Sequence, residues 1–326
     1  MNHKQIAELA NVSASTVSKA LSGSKEINAE TAENIRRIAI ENGYFDEKNK
    51  RKRVNTANRD IFIAVMVPEA AGGHYSKEIT LIKEYIEEKG GNVAVYIFDF
   101  DARKKEKLLN SIILRGVADG VIISSTPPKN LKSNIPIVSL ANDGIGGYDT
   151  VVVDGDAIVD DAVKYLKNLG HEKIGFAGEY HTIAKSNRFK KAMTNNGLKF
   201  SEKYMYIVDG RFETIGIKAA EKIVAAKDRP TAILAAYDEI ALSLVHELTE
   251  NGIRVPEDMS VMGINNIDSS AYAGIPLTTV NIFSDEQYKT AVNLLFDKIL
   301  NETKSVRHIV VEHEIIERQT TKKLEK

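Results

Sequence analysis

The chain has no cysteine in its 326 residues, so it can form neither a disulfide nor a thiolate zinc site, and it fits a reducing compartment such as the cytoplasm. Long hydrophobic runs are missing too. The longest, IFIAVMV at 61–67 and SIILRGVADGVIIS at 111–124, are too short or too interrupted to span a bilayer, and no membrane association is expected. The N-terminus, MNHKQIAELANVS, lacks an apolar signal core followed by a small-residue cleavage site, which argues against export. Catalytic signatures are equally scarce. There is no Walker or GxSxG sequence, and HEIIE at 313–317 lacks the second histidine of a zincin pair. Asp154, Asp156, Asp160 and Asp161 in VVVDGDAIVDDAV form a carboxylate cluster. The sixth position of an EF-hand loop is not glycine there and the twelfth is Tyr165, so the cluster reads as a helix cap. No catalytic residue, metal or cofactor is expected, and an enzyme such as a two-lobed kinase or a sugar hydrolase has no motif to carry it.

What is present is a chain long enough for two or more globular units, with 43% hydrophobic residues. The formal net charge of -1 hides an asymmetry. Residues 1–59 hold eleven Lys/Arg against seven Asp/Glu, and the remainder holds 33 against 38. The head is basic and the body acidic. Much of the excess lies in KNKRKRVNTANR at 48–59, which has no apolar periodicity and reads as a linker.

The first 45 residues predict three short helices. Asn2 with Gln5 makes a capping box ahead of an inward stripe of Ile6, Leu9 and Ala10. After a tight turn near Asn11 and Val12, Ser13 can cap a second helix whose Val17 and Leu21 face the first. Its outward face is then Ala14, Ser15, Ser18, Lys19 and Ser22. Asn28 caps a third helix with Ile35, Ile38 and Ala39 inside, and Gly43 ends it. Serine and threonine are mediocre helix formers, so loading one face with them costs stability unless the face serves something. Short hydroxyl side chains at a helix N-terminus suit phosphate oxygens and let the backbone approach DNA, while a few neighbours reach base edges in the major groove.

The stretch KQIAELANVSASTVSKALSGSKEINAETAENIRRIAIENGY closely resembles the N-terminal headpiece of LacI/GalR transcriptional regulators, with their VSxxTVSxxLxG core and closing GY. The resemblance implies base reading by Ala14, Ser15 and Lys19, and phosphate contacts from Ser13, Thr16, Ser18 and Thr31. Lys19 stands where arginine is commoner, which loses the bidentate fork to guanine. The family usually follows GY with Pro-Asn and a hinge helix whose leucine wedges into the minor groove. Here the run is GYFDEKNKRKRVNTANRD, without leucine. Arg51, Arg53 and Val54 lie near that place, so a more electrostatic hinge with weaker bending is expected.

From residue 60 apolar strands alternate with amphipathic helices. IFIAVMV, NVAVYIF (92–98), GVIIS (120–124), IPIVSL (135–140) and TVVVD (150–154) form one series. KIGFAG (173–178), MYIVDG (205–210), AILAAYD (232–238) and MSVMGIN (259–265) form a second. Two such series predict an α/β fold with two doubly wound parallel sheets and a cleft beyond the strand C-termini. The body resembles the family's effector domain, which is similar to a type I periplasmic sugar-binding protein. GHEKIGFAG, PTAILAAYDEIAL, NGIRVPEDMSVMGINN and PLTTV are its landmarks. The expected organisation is a helix-turn-helix head at 1–45, a basic hinge at 46–59, and an effector-binding and dimerisation body at 60–326. Its first lobe would hold about 60–155 and 282–308, and its second about 156–281 and 309–326.

By position in that family, His74 and Tyr75 fall at the pocket rim, Phe212 is the stacking aromatic, Asp238 follows the fourth strand of the second lobe, and Asn265 ends the next. Lys185 aligns with the family's ligand-clamping arginine, and Arg188 takes a usual glycine position. Asn265 replaces the usual aspartate. These departures point away from an unmodified hexose, toward a phosphorylated ligand or toward control by a partner protein as in the catabolite-control branch.

The reading is a homodimeric, cytoplasmic transcription factor, a repressor of a carbohydrate-utilisation operon. It would bind a pseudo-palindromic double-stranded DNA operator under control of a small-molecule effector, a sugar or sugar phosphate. The alternatives are control by a partner protein, or a sugar-binding receptor without DNA function. The tail RQTTKKLEK has no leucine heptads, which argues against a tetramer built by a C-terminal coiled coil.

Overall fold

In a computed structural model of the chain, residues 2–22, 24, 26–42, 44, 60–128, 131–141, 147–282, 285–303 and 305–324 are described. The hinge positions Arg51, Arg53 and Val54, and Gly43, lie outside the described residues. The N-terminal helices are α1 (His3–Ala10), α2 (Ala14–Ser22) and α3 (Ala29–Glu41). Asn2 accepts from the backbone of Lys4 and Gln5 while the Gln5 side chain returns to the Asn2 N–H, so both halves of the capping box form. Asn11 turns the chain in the left-handed region at φ 51°. Ile6, Val17, Ala20, Ile35 and Ala39 make the fully buried centre of this small bundle. Leu9 departs from the predicted inward stripe and is exposed. Ile6 and Ala7 face the other two helices, and Leu9 lies two to three positions further round the helix from both.

The body contains two six-stranded sheets. The first has the order β11-β5-β4-β3-β1-β2, where β1 is Ile61–Val67, β2 Gly91–Ile97, β3 Gly120–Ile123, β4 Ile137–Ser139, β5 Asp149–Val153 and β11 His308–Val311. The pairs from β2 to β5 are parallel. The second has the order β12-β10-β9-β8-β6-β7, where β6 is Ile174–Gly178, β7 Met205–Ile207, β8 Ala232–Ala235, β9 Ser260–Ile264, β10 Thr278–Asn281 and β12 Glu314–Ile316. Only β12 runs antiparallel among its described pairings. Crossover helices α4 (Gly73–Glu88), α5 (Ala102–Arg115), α6 (Gly155–Asn168), α7 (Ile183–Asn195), α8 (Glu213–Ala225), α9 (Asp238–Glu250), α10 (Asp268–Tyr272) and α11 (Asp285–Asn301) follow the strands. Both sheets are dominated by parallel strands with central positions buried on both faces, which is why β3, β6, β8 and β9 read as unbroken apolar runs. The sequence stops short on the short strands β10, β11 and β12, which carry no long apolar run.

The chain divides into two compact units. The first comprises Met1–Glu69, Ile82–Val151 and Lys289–His308, and the second Ala70–Leu81, Val152–Tyr288 and Ile309–Lys326. In the first, Leu109, Ile112 and Ile113 of α5 pack on Ala64, Met66, Val121 and Ile123. A buried ion pair there joins Lys298 to Asp149 at 2.6 Å, and Asp149 also accepts from the Arg307 N–H at 2.8 Å. In the second, α6, α7, α8 and α9 enclose β6, β8 and β9 around Phe176, Phe189, Leu234, Leu244 and Met262. The acidic run is consumed locally: Asp154 caps α6, Asp156 pairs with Arg188 and Lys191, and Asp161 meets His313.

Candidate DNA-binding face and ligand site

Helix α2 is held from behind and open in front. Val17 and Ala20 are fully buried, and Arg36 of α3 donates to the Ala20 carbonyl at 3.2 Å. Ser13 caps the helix, its Oγ accepting the Thr16 N–H at 3.0 Å and lying 2.8 Å from Thr16 Oγ1. Ser15, Ser18, Lys19 and Ser22 are exposed, and Ala14 is half-buried. Lys19 is not idle: its ammonium meets Glu26 Oε2 at 2.5 Å. Thr31 sits in the first turn of α3, its N–H held by Asn28 Oδ1 at 2.8 Å. The base-reading and phosphate-contact candidates therefore gather on α2 and the N-terminal turns of α2 and α3, where helix dipoles favour anions.

The six ligand-site candidates, His74, Tyr75, Lys185, Phe212, Asp238 and Asn265, all belong to the second unit. His74 and Tyr75 lie on the first turn of α4, ring edge to ring face with centroids 4.6 Å apart. Burial and the nearby Lys185 charge push the His74 imidazole down to about 3, so it is neutral at ordinary pH. Lys185 donates to the Ala236 carbonyl at 2.7 Å, and burial lowers it to about 8 against the opposing pull of Asp238 and Glu239. Phe212 precedes α8 at φ 51°. Its ring lies 4.5 Å from the Arg211 guanidinium and 6.1 Å from the Tyr237 ring. Arg211 is paired with Glu179, which also accepts from Tyr237 Oη at 2.6 Å. A Cβ on Gly72 would come within 2.4 Å of the Phe212 ring, so only glycine fits that turn, whose φ is 79°.

Asp238 is fully buried with each oxygen engaged by the protein. Oδ1 accepts from Thr279 Oγ1 at 2.6 Å and Oδ2 from the Ile267 N–H at 2.9 Å. Burial raises its carboxyl to about 6. The glycine before the end of β9 makes room for it, since a Cβ on Gly263 would lie 2.1 Å from Asp238 Oδ1. The carboxyl thus ties the start of α9 to β10 and to the loop after β9. Asn265 is only 4% exposed, at φ 122°, and its Oδ1 has no hydrogen-bond partner.

Sequence reasoning missed Glu239. It sits beside Asp238 in the first turn of α9, where an acidic pair reads simply as favourable to the helix dipole. Instead it is 7% exposed, its Oε1 accepts the Gly73 N–H at 2.7 Å, and its Oε2 is buried without a partner. Only the turn Gly72–Gly73 arriving from far earlier in the chain reveals this. Arg188, at the position of the usual glycine, is turned away to Asp156 at 3.0 Å.

The profile described as bacterial regulatory proteins, lacI family, matches residues 3–46, and that of the periplasmic binding protein-like domain matches residues 163–321. The helix-turn-helix head and the doubly wound body thus both carry the expected signatures. The chain belongs to the LacI family. A curated relative, the HTH-type transcriptional repressor PurR of Pasteurella multocida, is 28% identical over 335 residues, covering 98% of this chain and 98% of its own. Among solved structures, the transcriptional regulator CelR in complex with cellobiose has a TM-score of 0.70 at 22% identity and covers 98% of this chain and 99% of its own. A LacI family regulator from Enterococcus faecium with bound ribose has the same TM-score and identity, covering 81% of this chain and 100% of its own. This LacI-family protein is a DNA-binding transcriptional regulator. No helix among the described residues is long and apolar enough to cross a membrane.

Proposed function

We propose that this LacI-family chain is a repressor that binds a pseudo-palindromic operator as a homodimer and is controlled by a small carbohydrate-like effector held in the second unit. The observation that carries the DNA reading is α2: a buried Val17 and Ala20 stripe behind an exposed Ser15, Ser18, Lys19 and Ser22 face. Ala14, Ser15 and Lys19 read bases, Ser13, Thr16, Ser18 and Thr31 hold phosphates, and Arg51, Arg53 and Val54 form the hinge contact. A repressor relative across nearly the whole length supports the direction of control. The effector rests among His74, Tyr75, Lys185, Phe212 and Asn265, with Asp238 holding the loop that carries Asn265. Sugar complexes of fold relatives favour a carbohydrate ligand. A regulator of this kind works where the DNA is, in the cytoplasm, and needs no catalytic step.

Homodimerisation is supported by an edge. Strand β2 ends its sheet, and Val95 and Ile97 on one face of it are exposed together with the following Phe100, an apolar set that a second copy would cover. Sedimentation of a Val95→Glu variant tests this, with a monomer expected. The function is tested by fluorescence anisotropy with DNA from upstream of the protein's own gene, at two salt concentrations, with and without sugars. Binding to a discrete palindrome that one compound shifts about tenfold, or about 1.4 kcal/mol of coupling, supports the repressor. Weak binding that ignores sequence and vanishes with modest salt would leave a basic patch and a receptor-like body. Tight operator binding that only a second protein alters would favour catabolite-type control.

A further inference from the structure

The ligand site holds two buried acceptors that the protein does not satisfy. Glu239 Oε2 and Asn265 Oδ1 both lack partners, although their residues are 7% and 4% exposed. Such orphans are rare because a buried acceptor without a donor has lost its hydration with nothing in return, so something that donates is expected to meet them. They belong to one neighbourhood. Gly73 at the start of α4 donates to the other oxygen of Glu239, and a Cβ on the same Gly73 would lie 2.8 Å from Ile267, two residues after Asn265. Phe212 lies against the adjoining Gly72, and the Lys185 charge is close enough to act on Glu239.

The cations around the site are already committed. Lys185 donates to the Ala236 carbonyl and balances Asp238 and Glu239. Arg188 is paired with Asp156, Arg211 with Glu179, and Lys77 with Asp268. His74 is held neutral. A phosphate monoester carries a charge near -2 at neutral pH and needs uncommitted donors or cations. It would meet unpaired acceptors instead.

We infer that Glu239 is a specificity-determining residue for the effector, and that with Asn265 it selects an unphosphorylated ligand presenting O–H or N–H donors. The inference rests on the proposed effector site and narrows it. A pair of sugar hydroxyls or of amine hydrogens satisfies both acceptors, and the Phe212 face covers the apolar side of a ring. The same two acceptors reject an isosteric ligand without donors, because its binding leaves them dry and unpaired.

The test uses the full chain. Melting temperatures are measured with D-ribose, cellobiose, glucosamine and other unphosphorylated sugars and polyols, and with ribose 5-phosphate, glucose 6-phosphate and fructose 6-phosphate. Calorimetry then follows any compound that stabilises. Glu239→Gln keeps an acceptor for the Gly73 N–H and turns the orphan oxygen into a donor. The unliganded variant should therefore melt close to wild type while its affinity falls about tenfold or more. Asn265→Asp keeps the Oδ1 acceptor and should bind at least as well as wild type. Stabilisation by an unphosphorylated compound with this pattern upholds the inference. It is overturned by stabilisation with phosphorylated compounds alone, by equal affinity in Glu239→Gln, or by no stabilisation across the panel. Operator binding on the same preparations separates the two levels. If the operator is bound but the panel is silent, the specificity inference falls and the DNA reading stands; if the operator is not bound, the function itself falls.

Discussion

Replacing Asp238 by asparagine should stabilise the protein at neutral pH and leave it unchanged in mild acid. In the native state burial holds the Asp238 proton up to about pH 6, whereas an unburied aspartate releases it near 3.8. Between those values the native state binds the extra proton, so raising the pH favours unfolding. That difference corresponds to about 3 kcal/mol, lost progressively from about pH 4 to pH 6 and fully lost above it. This is the reverse of the usual carboxylate, which is stabilised by ionising. Asparagine keeps the shape: its oxygen can accept the Ile267 N–H, and its amide can donate to Thr279 Oγ1, a hydroxyl able to accept. Urea unfolding of wild type and Asp238→Asn at several pH values from 4 to 7 isolates this one group, because every other titration cancels in the difference. The variant's relative stability should climb by about 3 kcal/mol across that range. Asp238→Ala, by contrast, strands two buried donors at about 1–3 kcal/mol each and should destabilise at every pH. A pH-independent difference, or an asparagine variant weaker than wild type by about 2 kcal/mol at pH 7, would refute the account of Asp238 as a destabilised buried charge that ties α9 to β10.

Other outcomes follow from contacts already described. Glu26→Gln frees the Lys19 ammonium and removes a negative charge beside the DNA face, so operator affinity should rise about two- to fivefold at moderate salt, as expected for losing an exposed pair, in anisotropy titrations. Lys185 titrates near 8 when folded and near 10.5 when exposed, so the unfolded chain binds more protons between those values. Its contribution to stability should therefore rise with pH from about 8 to about 10.5, a slope that Lys185→Met abolishes in chemical denaturation. Gly216→Ala would ordinarily favour a helix, but its Cβ would lie 2.4 Å from the Ile240 carbonyl oxygen and 2.6 Å from the Leu244 nitrogen. Helices α8 and α9 must separate to admit it, and thermal melting should report a loss of about 1–3 kcal/mol or more.

Much of this architecture was legible because the relevant signals are local. Capping by Asn2, Ser13, Asn28 and Asp154 depends on residues two or three positions away, and each forms as expected. The buried central strands announce themselves as apolar runs, whereas β10, β11 and β12 mix polar residues into three or four positions and owe their existence to partners far along the chain. Leu9 was misplaced for a related reason: a helix eight residues long leaves the exact edge of its apolar stripe to its neighbours.

The sequence by itself determined the helix-turn-helix head, the doubly wound body and the serine-rich face of α2, because periodicity, caps and hydroxyl content are written in short windows. Tertiary structure alone decided how the charges are spent. Lys19 is held by Glu26, Asp238 is closed off by Thr279 and Ile267, and Arg188 is drawn to Asp156. Glu239 keeps an oxygen in reserve while Gly73, 166 positions away, takes the other. Whether a charged group is paired, buried or left waiting depends on which distant donors the fold brings within about 3 Å, and no local pattern encodes that distance.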